Sequence, residues 1–390
     1  MENSPDGVAD RVADAATVAG LAGLRWAVGR PAPDDDVYAG RAGVLRAFAE
    51  ARQGGYREFD EAAVPLRNRL LTSGNAEPGL YVGRAGHLSA LAAWAAAADE
   101  EVPGGRRLGA GLAAMPLPAA YDVISGQAGL LLVLVALEER TGAERVADAL
   151  AAVARPAPGG LEWPHEPTAT SLMPGLSHGT AGVSLALARA GALLARPDLL
   201  ELARAGGRRL LALGQRADGT VAVPRTLLQH PLVAPQSWGW CHGPTGTVQA
   251  FLALAELEPG WDEAVAGSLA ALRASGIPER PYPGFWDNVG QCCGTAGVLE
   301  LALDRAQATG DEQWLDWARL LAADLLARAV EVPGGVSWSN VEHTAADPVL
   351  PPEPGWMQGT AGVAAALLRY SRIRRDGYDA RRVPWPDRVS

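Results

Sequence analysis

Leu176-Ser177-His178-Gly179-Thr180-Ala181-Gly182, Trp240-Cys241-His242-Gly243-Pro244-Thr245-Gly246 and Gln291-Cys292-Cys293-Gly294-Thr295-Ala296-Gly297 are three copies of one turn, each opening a run rich in alanine and leucine. All three cysteines of the 390-residue chain and two of its six histidines sit in these copies. Four more Gly-x-x-Gly pairs lie along the chain, at Gly40/Gly43, Gly83/Gly86, Gly126/Gly129 and Gly359/Gly362. The seven copies start 43, 43, 53, 64, 51 and 65 residues apart, which leaves room in each unit for two antiparallel helices and a variable loop.

The run after each turn is apolar nearly all round, as in Val183-Ser184-Leu185-Ala186-Leu187-Ala188. A helix of that kind must be surrounded by other helices. Between the turns lie amphipathic patterns such as 311–329, where Trp314, Trp317, Leu320, Leu321 and Leu325 follow three- and four-residue steps. Seven inner helices ringed by seven outer ones satisfy both patterns. The expected fold is therefore all-α, an α/α toroid of seven helical hairpins, with the glycine turns crowded at one end. Segments 160–166, 220–225 and 335–342 carry Trp, Val and Thr between Pro and Gly, so short strands or ordered loops are expected there.

The repeat makes 1–390 one domain, with its core at about 35–370, an N-terminal cap or arm over 1–35, and an arginine-rich tail over 371–390 that reads as solvated. Nearly half of the residues are hydrophobic, enough for a large core. The net charge of −10 argues against nucleic acid as a partner. All 34 basic residues are arginine, so no lysine Schiff base is available. An odd cysteine count with adjacent Cys292 and Cys293 speaks against a disulfide framework. The longest apolar run, 130–137, is too short for a membrane span, and a cytoplasmic location is expected.

Aligned on the first glycine, Ser177, Cys241 and Cys292 share one position, and His178, His242 and Cys293 share the next. Cys241, Cys292 and Cys293 then come from consecutive turns and converge as three soft ligands, a Zn²⁺ site with an open fourth position. By residue type alone each cysteine also reads as buried core, each histidine as bonded to its own loop, and Asp122, just before the third turn, as a helix N-cap.

The Trp-Cys-His-Gly and Gln-Cys-Cys-Gly-Thr-Ala-Gly motifs, the upstream Ser-His-Gly-Thr-Ala-Gly and the seven turns resemble the lanthionine synthetase C-like cyclases over about residues 35–370. The resemblance implies zinc held by Cys241, Cys292 and Cys293, with Cys293 standing where most members have histidine, as in a sub-group with three cysteine ligands. It implies proton handling by Asp122 and His178. Ser237 stands where many bacterial members carry an arginine, and His242 follows Cys241 as in the eukaryotic-like branch, which makes it a third candidate catalytic residue. The implied activity is thioether ring formation, by addition of peptide cysteines to dehydroalanine or dehydrobutyrine in a dehydrated precursor peptide, with a dehydratase as a further partner. Two other functions fit the same residues: addition of glutathione or another small thiol to dehydroamino acids, and a zinc-bearing scaffold that binds the precursor peptide.

Overall fold

In each repeat the first turn of the inner helix has no side-chain cap; in six of the seven, free N–H groups there donate to carbonyls seven residues upstream. Thr295, Ala296 and Gly297 bond in this way to Asn288, Val289 and Gly290 at 3.2, 3.0 and 3.4 Å. Before Gly246 the Thr245 hydroxyl donates to Trp238 O instead. The bend brings the chain so close to the helix that a side chain at the second glycine has no space. A Cβ at Gly246 would lie 1.8 Å from the Trp240 carbonyl oxygen, and one at Gly182 would lie 2.2 Å from that of Leu176.

The computed structural model describes residues 5–30, 32–169, 172–228, 236–279, 288–341 and 348–389. The inner helices are α2 (Arg41–Gln53), α4 (Arg84–Ala98), α6 (Gln127–Ala136), α8 (Thr180–Leu194), α10 (Pro244–Ala255), α12 (Thr295–Thr309) and α14 (Thr360–Asp376). The outer helices are α1 (Pro5–Val28), α3 (Asp60–Thr72), α5 (Gly105–Ala113), α7 (Arg140–Ala152), α9 (Pro197–Gly214), α11 (Asp262–Arg273) and α13 (Glu312–Ala327). Each inner helix touches the inner helix before and after it, and α14 touches α2, so the ring is closed. Inner helices are buried on every side, without interruption over 42–51 in α2 and 360–373 in α14. Outer helices bury one stripe: in α13 Trp317, Leu321 and Leu325 face in while Leu320 is exposed. The fold is the expected α/α toroid. None of these helices is long and apolar enough to cross a membrane.

Two short hairpins stand on the outer ring. β1 (Arg155–Ala157) pairs with β2 (Gly160–Glu162), and β3 (Val330–Val332) with β4 (Gly335–Ser337), both antiparallel. Each turns through Pro-Gly, with Gly159 at φ +87 and Gly334 at φ +94, backbone conformations that suit glycine. Each is followed by a buried tryptophan donating to the last turn of the preceding outer helix, Trp163 to Leu150 O at 2.9 Å and Trp338 to Leu325 O at 2.7 Å. The expected segments 160–166 and 335–342 thus each contribute one strand, although Glu342 lies outside the described residues. Segment 220–225 contributes only the isolated bridge of Val221 to Gln215.

Both ends of the chain depart from expectation. Helix α1 is no detached cap; it packs along α14 as its outer partner and completes the seventh hairpin. The arginine-rich tail is solvated only in part: Arg375 and Arg381 are exposed, but Arg372 is buried. Helix α14 extends to Asp376, and the segment after it enters the bore of the inner ring, where Val383, Trp385, Asp387 and Val389 are buried. The cause is pairing inside the barrel. Arg388 meets Glu300 at 2.6 Å, Arg372 meets Glu50 at 2.8 Å, and the Arg46 guanidinium lies between the Trp356 and Trp385 rings, 3.7 and 4.2 Å from their centroids. Burial alone would push Glu300 up, yet Arg388 and Arg369 hold it well below the usual carboxylate range.

Candidate metal centre

The seven turns are joined by backbone hydrogen bonds into a closed loop. Tyr38 N–H donates to Tyr81 O, Tyr81 to Ile124 O, Val123 to Ser177 O, Ser177 to Cys241 O, Cys241 to Cys292 O, Cys292 to Met357 O, and Met357 back to Tyr38 O, all between 2.9 and 3.1 Å. Six of the seven donors occupy the same place, two residues before the first glycine. The third turn donates one residue earlier. This loop fixes the register of neighbouring turns and so decides which side chains meet.

Cys241, Cys292 and Cys293 meet, with Sγ atoms 3.2 Å apart for Cys241 and Cys293, 3.4 Å for Cys292 and Cys293, and all three within 4.8 Å of one another. Three sulfurs each ~2.3 Å from one tetrahedral Zn²⁺ would lie ~3.8 Å apart, so the donor set fits the ion in type and spacing. Hydrogen bonding with Cys241 and Cys292 pushes the Cys293 thiol down, while hydrogen bonding with Cys292 and Cys293 together with burial pushes Cys241 up.

The sulfurs open into a cavity of about 370 Å³ whose wall includes Tyr38, Ile124, His178, Arg225 and His242. His178 Nδ1 is 2.5 Å from Asp122 Oδ2. Asp122 is buried, and its Oδ1 accepts from Ser125 N–H at 2.9 Å and from the Ser125 hydroxyl at 3.3 Å. The N-cap of α6 is Gly126, so Asp122 is committed to holding its turn and the imidazole. With Nδ1 bonded to the carboxylate, His178 is held in the tautomer that leaves Nε2 for chemistry. His242 lies beside it, ring centroids 5.9 Å apart; its Nδ1 is buried without a partner among the described residues, and burial lowers it to about 4. It is neutral near pH 7.

Two further groups belong to the site. Tyr38 donates its hydroxyl to Cys292 Sγ at 3.5 Å and accepts from Gln358 Nε2 at 3.0 Å; burial and the Cys292 thiol push its own ionisation far up, so it stays a donor. It shares the turn position of Cys241 and Cys292, and that shared register was the available signal. Arg225 lies in no turn and gave none.

Among solved structures the chain is similar to nisin cyclase, at 15% identity and a TM-score of 0.60 over 88% of this chain and 90% of that one. It is also similar to an α-1,6-mannanase from Salegentibacter sp. HEL1_6, at 11% identity and a TM-score of 0.50 over 93% and 98%. At such identities the likeness is one of fold. No curated protein sequence matches the chain. The family model described as lanthionine synthetase C-like protein matches residues 31–377. A match running unbroken through all seven glycine turns and both cysteine motifs leaves one assignment: the chain belongs to the lanthionine synthetase C-like proteins.

Proposed function

We propose that the chain, acting as one domain, is a zinc-dependent cyclase that forms lanthionine or methyllanthionine thioether rings in a dehydrated, ribosomally made precursor peptide. The observation that carries this reading is that three cysteine sulfurs and the His178 imidazole, held from behind by Asp122, open onto one cavity. Zn²⁺ held by Cys241, Cys292 and Cys293 would supply the Lewis acidity that keeps a substrate thiol ionised near neutrality, where a free thiol with a pKa of about 8.5 is mostly protonated.

The protein's own groups manage the protons. His178 Nε2 takes the proton of the incoming thiol, and Asp122 steadies the resulting imidazolium through Nδ1. The substrate sulfur then bonds to the β-carbon of the dehydroamino acid, and the α-carbon needs a proton, which the same Nε2 returns. Tyr38 orients Cys292 through its hydroxyl, and the neutral ring of His242 walls the cavity next to His178. A dehydratase acting earlier would provide the dehydroamino acids.

The test is a purified peptide bearing one dehydroalanine and one cysteine, incubated with the zinc-loaded protein with and without glutathione. Ring closure leaves the peptide mass unchanged while its alkylatable thiol disappears faster than without protein. A glutathione adduct instead would assign intermolecular thiol addition, and binding without loss of the thiol would assign a peptide-binding scaffold.

A further inference from the structure

Arg225 is the cation in the wall of the sulfur-lined cavity, and among the described residues it has no ion-pair or hydrogen-bond partner. Its position is built. Val221, Ala222 and Val223 just before it are buried, Gln236 Nε2 donates to Val223 O at 3.0 Å, and Leu227 N–H donates to Leu172 O at 2.9 Å. Arg225 is thus held between two anchors, with its side chain half-buried at the cavity. A guanidinium carries five donors, and keeping them partly desolvated with no acceptor is unfavourable. Among the described residues nothing offers this guanidinium an acceptor, so the cavity is organised for an anionic oxygen carried by a ligand.

We propose that Arg225 is a catalytic residue that receives the carbonyl oxygen of the dehydroamino acid as negative charge builds on it. The inference rests on the cyclase reading. When the thiolate sulfur forms its bond to the β-carbon, the π pair of the Cα=Cβ bond moves toward the carbonyl and the charge passes from sulfur to oxygen. Protonation at the α-carbon then restores the carbonyl, so the elements of S–H add across the double bond and no other reactant is consumed. The charge that must be stabilised exists only between these two events. A fixed guanidinium in a partly water-excluded cavity stabilises it most at that stage, as an oxyanion-hole donor does.

The experiment compares wild type, Arg225→Gln and Arg225→Lys on the one-ring peptide, with bound zinc and the affinity for the same peptide carrying alanine in place of dehydroalanine measured alongside. Arg225→Gln is expected to lose about 10²- to 10³-fold in kcat. KM, zinc content and affinity for the alanine peptide should stay within about twofold, and Arg225→Lys should recover part of kcat because a cation remains. An unchanged kcat overturns the proposal. An affinity for the alanine peptide that falls as far as kcat/KM overturns it in favour of a carboxylate anchor, and loss of zinc overturns it in favour of a support for the metal site. A wild-type protein that consumes no peptide thiol removes the cyclase reading and this inference with it.

Discussion

The Tyr81 hydroxyl donates to Asp387 Oδ2 across 2.7 Å, tying the second glycine turn to the segment that fills the bore. The same hydroxyl accepts from Trp385 Nε1 at 3.1 Å, and the Tyr81 ring meets Trp240 edge-on with centroids 5.1 Å apart. Trp240 precedes Cys241, so the far end of the chain supports the turn that carries the first thiol. Removing one partner leaves a buried polar group unpaired, at a cost of about 1–3 kcal/mol. Asp387→Ala and Tyr81→Phe should each lose about that much in urea unfolding. The double variant should lose clearly less than the sum, because both changes remove the same bond. Strict additivity would mean that the two residues act independently.

The His178–Asp122 pair and the cysteine triad predict opposite effects on metal content. Cys293→Ala, like Cys241→Ala and Cys292→Ala, should leave much less than one zinc per chain by elemental analysis. His178→Ala should keep its zinc while losing about 10²- to 10⁴-fold in ring-closure rate, the usual contribution of a positioned acid and base. Asp122→Asn, which keeps the size but not the charge beside Nδ1, should fall between His178→Ala and wild type. Zinc lost together with activity in His178→Ala would make that imidazole a ligand and remove its proton-handling role.

Closure of the turn loop rests on glycine. At Gly246 an added methyl would meet the Trp240 carbonyl oxygen at 1.8 Å, and the Leu176 Cβ at 2.8 Å limits relief. Gly246→Ala must therefore shift the turn bearing Cys241 and break the Ser177–Cys241–Cys292 run of hydrogen bonds. Expected are a loss of several kcal/mol, in the range of other overpacked sites and strained backbones, and weaker zinc binding in whatever protein still folds. Gly260→Ala, where a Cβ meets nothing within 4 Å, is the control and should bind zinc as wild type does.

The ring and the triad were legible because one repeat carries both: spacing gave the hairpins, and matched turn positions brought Cys241, Cys292 and Cys293 together. What escaped depends on partners remote in sequence. No glycine turn precedes α1, so nothing local marks it as the outer partner of α14. Arg388 reads as solvent-facing until Glu300 and Asp304, two inward carboxylates of α12, are known to lie beside it. The hairpins were only half found, although Pro158-Gly159-Gly160-Leu161-Glu162-Trp163 and Pro333-Gly334-Gly335-Val336-Ser337-Trp338 match in their Pro-Gly-Gly and Trp positions. Tyr38 was hidden by residue type, since attention to sulfur and imidazole passes over a phenol at the same turn position. Arg225 depends on how a loop outside the repeat folds over the turns.

His87, on α4 one turn below the ring, is 3% exposed, and its Nε2 has no partner among the described residues. Burial lowers its pKa from 6.5 to about 4; Asp35 and Asp34 oppose that shift, while Arg84 and Arg69 add to it. Between these two values the unfolded chain binds the proton and the folded protein does not, so stability must rise with pH in that window. The contribution is intact above about 6.5 and disappears as pH falls toward 4, amounting to about 3 kcal/mol when complete. In urea unfolding, wild type should lose about 2 kcal/mol more than His87→Leu between pH 7 and pH 5. Acid loss of zinc is common to both proteins and cancels in the comparison. Equal losses in the two would mean that His87 is protonated in the folded protein and has found a partner there.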